Sequence, residues 1–179
     1  MIKKYQPSTE IQSNLNFLKE YYTDPPPPVK SKEGLQYTSK RYLETLLKNN
    51  NIEDVCEVSY LSHINLTSKQ KSLLYNSLSK DYPSCSILLS GHFFYPERGY
   101  MSWHTNNNAP GLRLYLSYTE HENKSFFKYK KDDSIIEDPD YKGWTAREFP
   151  IDRENLLWHS VYAEKPRISI GFRIIKNLI

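Results

Sequence analysis

The chain has 179 residues, enough for one domain with a sizeable core. Only 38% of them are hydrophobic, yet 14% are aromatic and 15 are tyrosines, so much of the core must be amphipathic aromatic surface whose hydroxyls need partners. The net charge of +3 is mild and the basic residues are scattered among acids, which gives no strong nucleic-acid signal. No run approaches the roughly 18 apolar residues of a membrane span, so no membrane partner is expected.

Cys56 and Cys85 fit no metal spacing and read as reduced, buried thiols. The N-terminal stretch MIKKYQPSTE has charge but no apolar signal region, so the expectation is a cytoplasmic protein.

In chain order, Ser8 and Thr9 predict a helix cap, with Ile11, Leu15, Leu18 and Tyr22 at helical spacing behind it. That helix stops before Pro25–Pro28, an extended polyproline segment that reads as a spacer lying on the domain or as a ligand for a proline-binding module. A second helix is predicted over 39–48, carrying Tyr42, Leu43, Leu46 and Leu47. A third, over 68–80, opens with Thr67 and Gln70 in capping-box spacing and turns Leu73, Leu74 and Leu78 to the core.

After Pro83 the apolar rhythm changes to period two. Strands are predicted over 86–95, 100–106, 112–118, 125–130, 146–150, 157–161 and 167–175, separated by polar turns. Helices followed by a block of short strands predict an α+β chain: a helical N-terminal buttress over 1–83 against a β-core over 84–179, together one compact domain.

Two Trp-His pairs, Trp103-His104 and Trp158-His159, stand 55 residues apart in predicted strands. Neighbouring side chains in a strand face opposite ways. With the tryptophans under the helices, both imidazoles point into the barrel, alongside Ser102 and Asn106 on one strand and Leu157 and Val161 on the other. Two converging imidazoles suit a divalent metal. His92 is a further candidate for the cavity wall, whereas His63 and His121 read as loop residues. In the last strand, Arg167, Ser169, Gly171 and Arg173 share one face, and a guanidinium beside a hydroxyl makes a carboxylate clamp. The plainer alternative for Arg167 is an ion pair with Glu148 or Glu164.

Taken together, these residues resemble the iron(II)/2-oxoglutarate-dependent oxygenases. That family holds iron with a His-x-Asp/Glu…His triad on a double-stranded β-helix and grips its co-substrate with a late Arg-x-Ser pair. His104-Thr105-Asn106, His159 and Arg167-Ile168-Ser169 match in order, and Tyr95, with Gly99 between it and His104, resembles the tyrosine of the prolyl-hydroxylase branch. Gly111–Leu116, Lys124–Phe127 and the approach from Gly143-Trp144 to Trp158-His159 extend the likeness over about residues 84–175.

The resemblance implies a jelly-roll, cupin-like double-stranded β-helix with the N-terminal helices on its outer face. It implies a metal site of His104, Asn106 and His159, and a 2-oxoglutarate site of Arg167, Ser169 and Tyr95. The implied activity is a hydroxylase using iron(II), 2-oxoglutarate and molecular oxygen on a peptide, prolyl side chain or small molecule. Asn106 departs from the family pattern, since it offers a carbonyl dipole where the family has a carboxylate. Asp138 and Asp140 are the remaining acids that could restore one. Arg167 follows His159 by eight residues, slightly early for the family, which keeps Arg173 as a second candidate. Two other readings stay open: a non-catalytic binding module that has lost iron, and a cupin-like metalloprotein using another metal.

Overall fold

The computed structural model describes residues 1–27, 30–31, 34–51 and 58–177. After β1 (Lys3–Tyr5), helix α1 (Thr9–Asn14) is capped by the Ser8 hydroxyl, which accepts from the Ile11 N–H. The helix expected to continue to Tyr22 instead tightens into a 3-10 stretch over Asn16–Tyr22. Leu15 and Leu18 are both fully buried, and the three-residue period of the tighter helix stacks them on one face.

Strand β2 (Lys30–Ser31) and a 3-10 turn over Leu35–Thr38 precede α2 (Lys40–Lys48), where the Ser39 hydroxyl accepts from the Tyr42 N–H. Strand β3 (Ser59–His63) leads to α3 (Ser68–Asp81), whose predicted capping box between Thr67 and Gln70 forms in both directions. Leu74 and Leu78 are buried as expected, but Leu73 is 41% exposed and Leu47 of α2 is 37% exposed. Both lie at the rim of their apolar stripes.

The remaining strands are β4 (Cys85–Tyr95), β5 (Gly99–His104), β6 (Gly111–Thr119), β7 (Ser125–Lys131), β8 (Ser134–Pro139), β9 (Gly143–Ile151), β10 (His159–Ala163) and β11 (Arg167–Lys176). Among the described residues all pairings are antiparallel, in the order β1-β9-β6-β11-β4-β3-β5-β10-β7-β8, with β2 on β3. The ribbon curls so that β9-β6-β11-β4 faces β5-β10-β7-β8, a jelly-roll arrangement. Strand β3 joins the two sheets by pairing with β4 through Ser62 and His63 and with β5 through Ser59 and Tyr60.

Three apolar clusters hold these layers. Ile11, Leu15 and Leu18, with Leu74 and Leu78 of α3, pack on the outward residues of one sheet, among them Phe94, Leu116, Ile168 and Ile170. Leu43 and Leu46 of α2 pack on Trp103 and Trp158, outward residues of the other sheet. Between the sheets lie Tyr95, Phe127, Phe149, Val161 and Ala163.

Residues 1–83, expected to be helical, also supply β1, β2 and β3. Strand β8 falls where no strand is predicted, between 130 and 146, because its charged, proline-ended sequence lacks alternation. Cys85 is half-buried rather than buried, and Cys56 lies outside the described residues. The Pro26 carbonyl accepts from the Ser62 hydroxyl at 2.9 Å, tying the proline segment to β3, while Pro28 lies outside the described residues. Among the described residues, no helix is long and apolar enough to cross a membrane.

Candidate metal centre

His104 ends β5 and His159 begins β10, and the two are direct partners across that ladder. Their ring centroids are 4.1 Å apart. Each Nδ1 is committed to a backbone carbonyl two residues upstream, His104 to Ser102 at 2.8 Å and His159 to Leu157 at 2.9 Å. A neutral imidazole that donates through Nδ1 keeps its lone pair on Nε2, so the backbone sets the same tautomer in both rings. Trp103 and Trp158 fix the rings from the other side, packed against α2 as strand alternation requires, and Trp103 Nε1 donates to the Ser39 carbonyl at 3.0 Å.

A bulge refines that alternation. The ladder matches His159 with His104 but Val161 with Met101, so two steps along β10 span three along β5. Met101, His104 and Val161 therefore line the cavity, while Ser102, expected beside His104, is buried with its hydroxyl unpartnered. Phe127, Phe149 and Tyr115 surround His159 at centroid separations of 5.4, 5.5 and 6.3 Å. Burial in this aromatic box, and then the neighbouring His104, pushes the His159 imidazole well below its usual pKa and keeps it neutral.

Strand β5 ends at His104, two residues earlier than predicted. Asn106 takes a left-handed backbone conformation, φ 56°, which asparagine tolerates better than most residues. Its side chain turns inward as expected. The amide nitrogen donates to His159 Nε2 at 3.1 Å and to the Tyr115 hydroxyl at 3.3 Å. Nε2 carries the lone pair, so the amide must present its N–H rather than its carbonyl to that ring. Tyr115 can lie across β11 because residue 171 is glycine; a Cβ there would sit 3.0 Å from the tyrosine ring. Among the described residues, no cluster of three or more His, Cys, Asp or Glu is placed to hold a metal.

The cavity between the sheets measures about 240 Å³, and its walls include Tyr95, Asn106, Tyr115 and Ser169. His63, read as a loop residue, belongs to β3 and lines it, whereas His92, the expected wall residue, turns its Nδ1 to the Ile64 carbonyl. His121 lies in a bend, as expected.

Ser169 and Tyr95 thus face the cavity, and Arg167 sits beside them. Arg167 is fully buried, and its guanidinium carbon is 5.2 Å from the centroid of Tyr95, its cross-strand partner. Its Nε donates to Asp140 at 2.7 Å, not to Glu148 or Glu164, and Nη1 and Nη2 are buried without a hydrogen-bond partner. Arg173 is occupied elsewhere, donating to the Pro110 carbonyl at 2.7 Å. Asp138 and Asp140 do not replace the missing carboxylate, because both are bound to arginines: Arg147 Nε reaches Asp138 at 2.6 Å and Arg147 Nη1 bonds Asp140.

Sequence reading missed this network. One signal was present: Arg147 alternates with Phe149 on the inward face of β9, while Trp144 and Ala146 take the outward one.

No sequence profile of a known family matches the chain, and no curated protein matches it in sequence. Solved structures do resemble it. A prolyl hydroxylase from Trichoplax adhaerens, in complex with a hypoxia inducible factor oxygen degradation domain peptide, superposes with a TM-score of 0.54. The two chains share 10% identity over 98% of this chain and 83% of that one. A Pseudomonas putida prolyl-4-hydroxylase gives 0.49 at 9% identity, over 99% of this chain and 93% of that one. A viral collagen prolyl hydroxylase from Paramecium Bursaria Chlorella virus-1, in complex with 2-oxoglutarate, gives 0.40 at 12% identity, over 84% of this chain and 97% of that one.

Proposed function

We propose that this chain, which has the double-stranded β-helix fold of the prolyl hydroxylases, is an iron(II)- and 2-oxoglutarate-dependent hydroxylase with an atypical His-x-Asn…His site. The observation that carries the reading is the His104–His159 pair, opposed at 4.1 Å with both Nδ1 atoms tied to carbonyls. Nothing in a purely structural pair requires the same tautomer twice.

The residues fit the groups this reading needs. The two imidazoles would supply ring nitrogens for a divalent cation, and Asn106 would add a carbonyl oxygen once its amide turns from His159. The buried, unpartnered η nitrogens of Arg167 fit a carboxylate. When bound, iron with 2-oxoglutarate supplies the oxidising chemistry, consuming dioxygen and releasing succinate and carbon dioxide.

The chain's own residues aim and shield. His104 and His159 would hold the metal, and Phe127 and Phe149 exclude water behind His159. Ser169 and Tyr95 offer hydroxyls to the carboxylate that Arg167 neutralises. The wall of Leu61, Phe93, Met101 and Val161 leaves an apolar slot. We assign that slot to a peptide or prolyl side chain, in keeping with the peptide fragment bound in the complex of the Trichoplax prolyl hydroxylase.

Anaerobic titration with iron(II) and 2-oxoglutarate tests the reading. A weak visible charge-transfer band and succinate on admitting oxygen are expected, both lost in His159→Ala. If band and succinate are both absent, the alternative holds: an oxygenase-fold binding module without catalysis. The Asn106 hydrogen bond to His159 Nε2 favours that alternative, since it occupies the lone pair a metal would take. A cupin-like metalloprotein using another metal would have no use for the buried guanidinium of Arg167.

A further inference from the structure

Asp140 lies between β8 and β9 and is fully buried. Its carboxylate takes every donor it can accommodate. Oδ1 accepts from the Ser117 hydroxyl at 3.0 Å and from Arg147 Nη1. Oδ2 accepts from the Ser125 hydroxyl at 2.5 Å and from Arg167 Nε at 2.7 Å. Its backbone N–H is tied to the Ser125 carbonyl at 2.8 Å, so the carboxylate is held from both ends.

The two arginines on this carboxylate are not equivalent. Every nitrogen of Arg147 has a partner, with Nε on Asp138 at 2.6 Å, Nη1 on Asp140, and Nη2 on the carbonyls of Asp138 and Pro139, both at 2.9 Å. Arg167 makes only its Nε bond, and Nη1 and Nη2 have no hydrogen-bond partner although both are buried. Lys4 also draws on Asp138, at 2.9 Å, so three cations share two carboxylates. The open donors fall on Arg167, within a cluster that has one positive charge more than its carboxylates balance. A buried guanidinium left this way is costly unless an anion completes it.

We propose that Asp140 is a positioning residue for the co-substrate. By holding Arg167 through Nε alone, it orients the guanidinium so that the paired η nitrogens receive the remote carboxylate of a 2-oxo diacid. Binding at Nε rather than across the η fork leaves free the edge that matches a carboxylate bidentately. Ser117 and Ser125 fix Asp140, and Asp140 fixes Arg167. The predicted consequence is selectivity for a five-carbon diacid over the monoacid of equal length. This inference rests on the proposed 2-oxoglutarate site.

The test compares equilibrium binding of 2-oxoglutarate and 2-oxopentanoate to the full chain, with and without Zn(II), under anaerobic conditions. The native protein should prefer the diacid by about tenfold or more, the scale of a charge-assisted pair. Asp140→Asn should erase most of that preference while leaving 2-oxopentanoate and Zn(II) affinity unchanged. Loss of a merely structural residue would weaken all three together. Ser125→Ala removes one hydrogen bond to Asp140 without changing charge, should reduce the preference partially, and decides the matter should Asp140→Asn fail to fold. A folded Asp140→Asn protein that keeps the full preference overturns the role of Asp140. So does an unchanged preference in Ser125→Ala when Asp140→Asn cannot be purified. A native protein with no preference overturns the 2-oxoglutarate site itself, and that result is separable because it appears before any substitution.

Discussion

The Asn106 side-chain nitrogen donates to His159 Nε2 at 3.1 Å, so the amide caps the lone pair of one of the two imidazoles proposed to hold a metal. A metal must displace that N–H before it can use His159. Asn106→Asp replaces a donor with an acceptor and adds a negative charge beside the two rings. We expect its Co(II) affinity to exceed that of the native protein by at least about tenfold, read from the visible spectrum during titration. Asn106→Ala separates cap from ligand: affinity rises if the amide only competes with the metal and falls if its carbonyl coordinates.

Replacing either histidine should abolish saturable Co(II) binding, because a single imidazole leaves no chelate. His63→Ala, in the same cavity wall but on β3, should leave the affinity unchanged. Equal loss in all three variants would mean that the metal binds at the rim rather than at the His104–His159 pair.

Acid should unfold the chain partly through Asp140. Burial by itself would raise this carboxyl, but the guanidiniums of Arg167 and Arg147 outweigh burial and hold it well below the usual range. The folded pKa is depressed, so the stabilisation is fully present above the unfolded value of about 3.9 and is lost as pH falls through that value toward the folded one. Urea midpoints measured downward from about pH 5 should fall steeply below about pH 4 in the native protein and more gently in Asp140→Asn. The variant should also be less stable at neutral pH by about 3–5 kcal/mol, the cost of stripping one partner from a buried ionic cluster.

Thr67→Ala removes the half of the α3 capping box in which the Thr67 hydroxyl accepts from the Gln70 N–H, and leaves the backbone N–H of residue 67 to donate to Gln70 Oε1. It should cost about 1 kcal/mol and lower Tm by about 2–4 °C for a chain of this size. Metal affinity should not change, because α3 packs on the outer face of the sheet.

The amino-acid sequence by itself determined what depends on near neighbours. Ser39 and Thr67 name their helix starts through hydrogen bonds that span three residues. Alternation in β10 and β11 puts His159 opposite Trp158, and Ser169 opposite Ile168 and Ile170. The repeated Trp-His pair made the meeting of His104 and His159 legible from order alone. Only the tertiary structure decided that a bulge in β5 would exchange Ser102 for Met101 at the cavity wall. It also decided that β3 would bring in His63, and that Asp140, 27 residues before Arg167, would bind its guanidinium. Strand alternation and capping are set within a few bonds of chain. Ladder register and the partner of a buried charge are set by which distant segments share the interior, where an unpaired ion is too costly to leave.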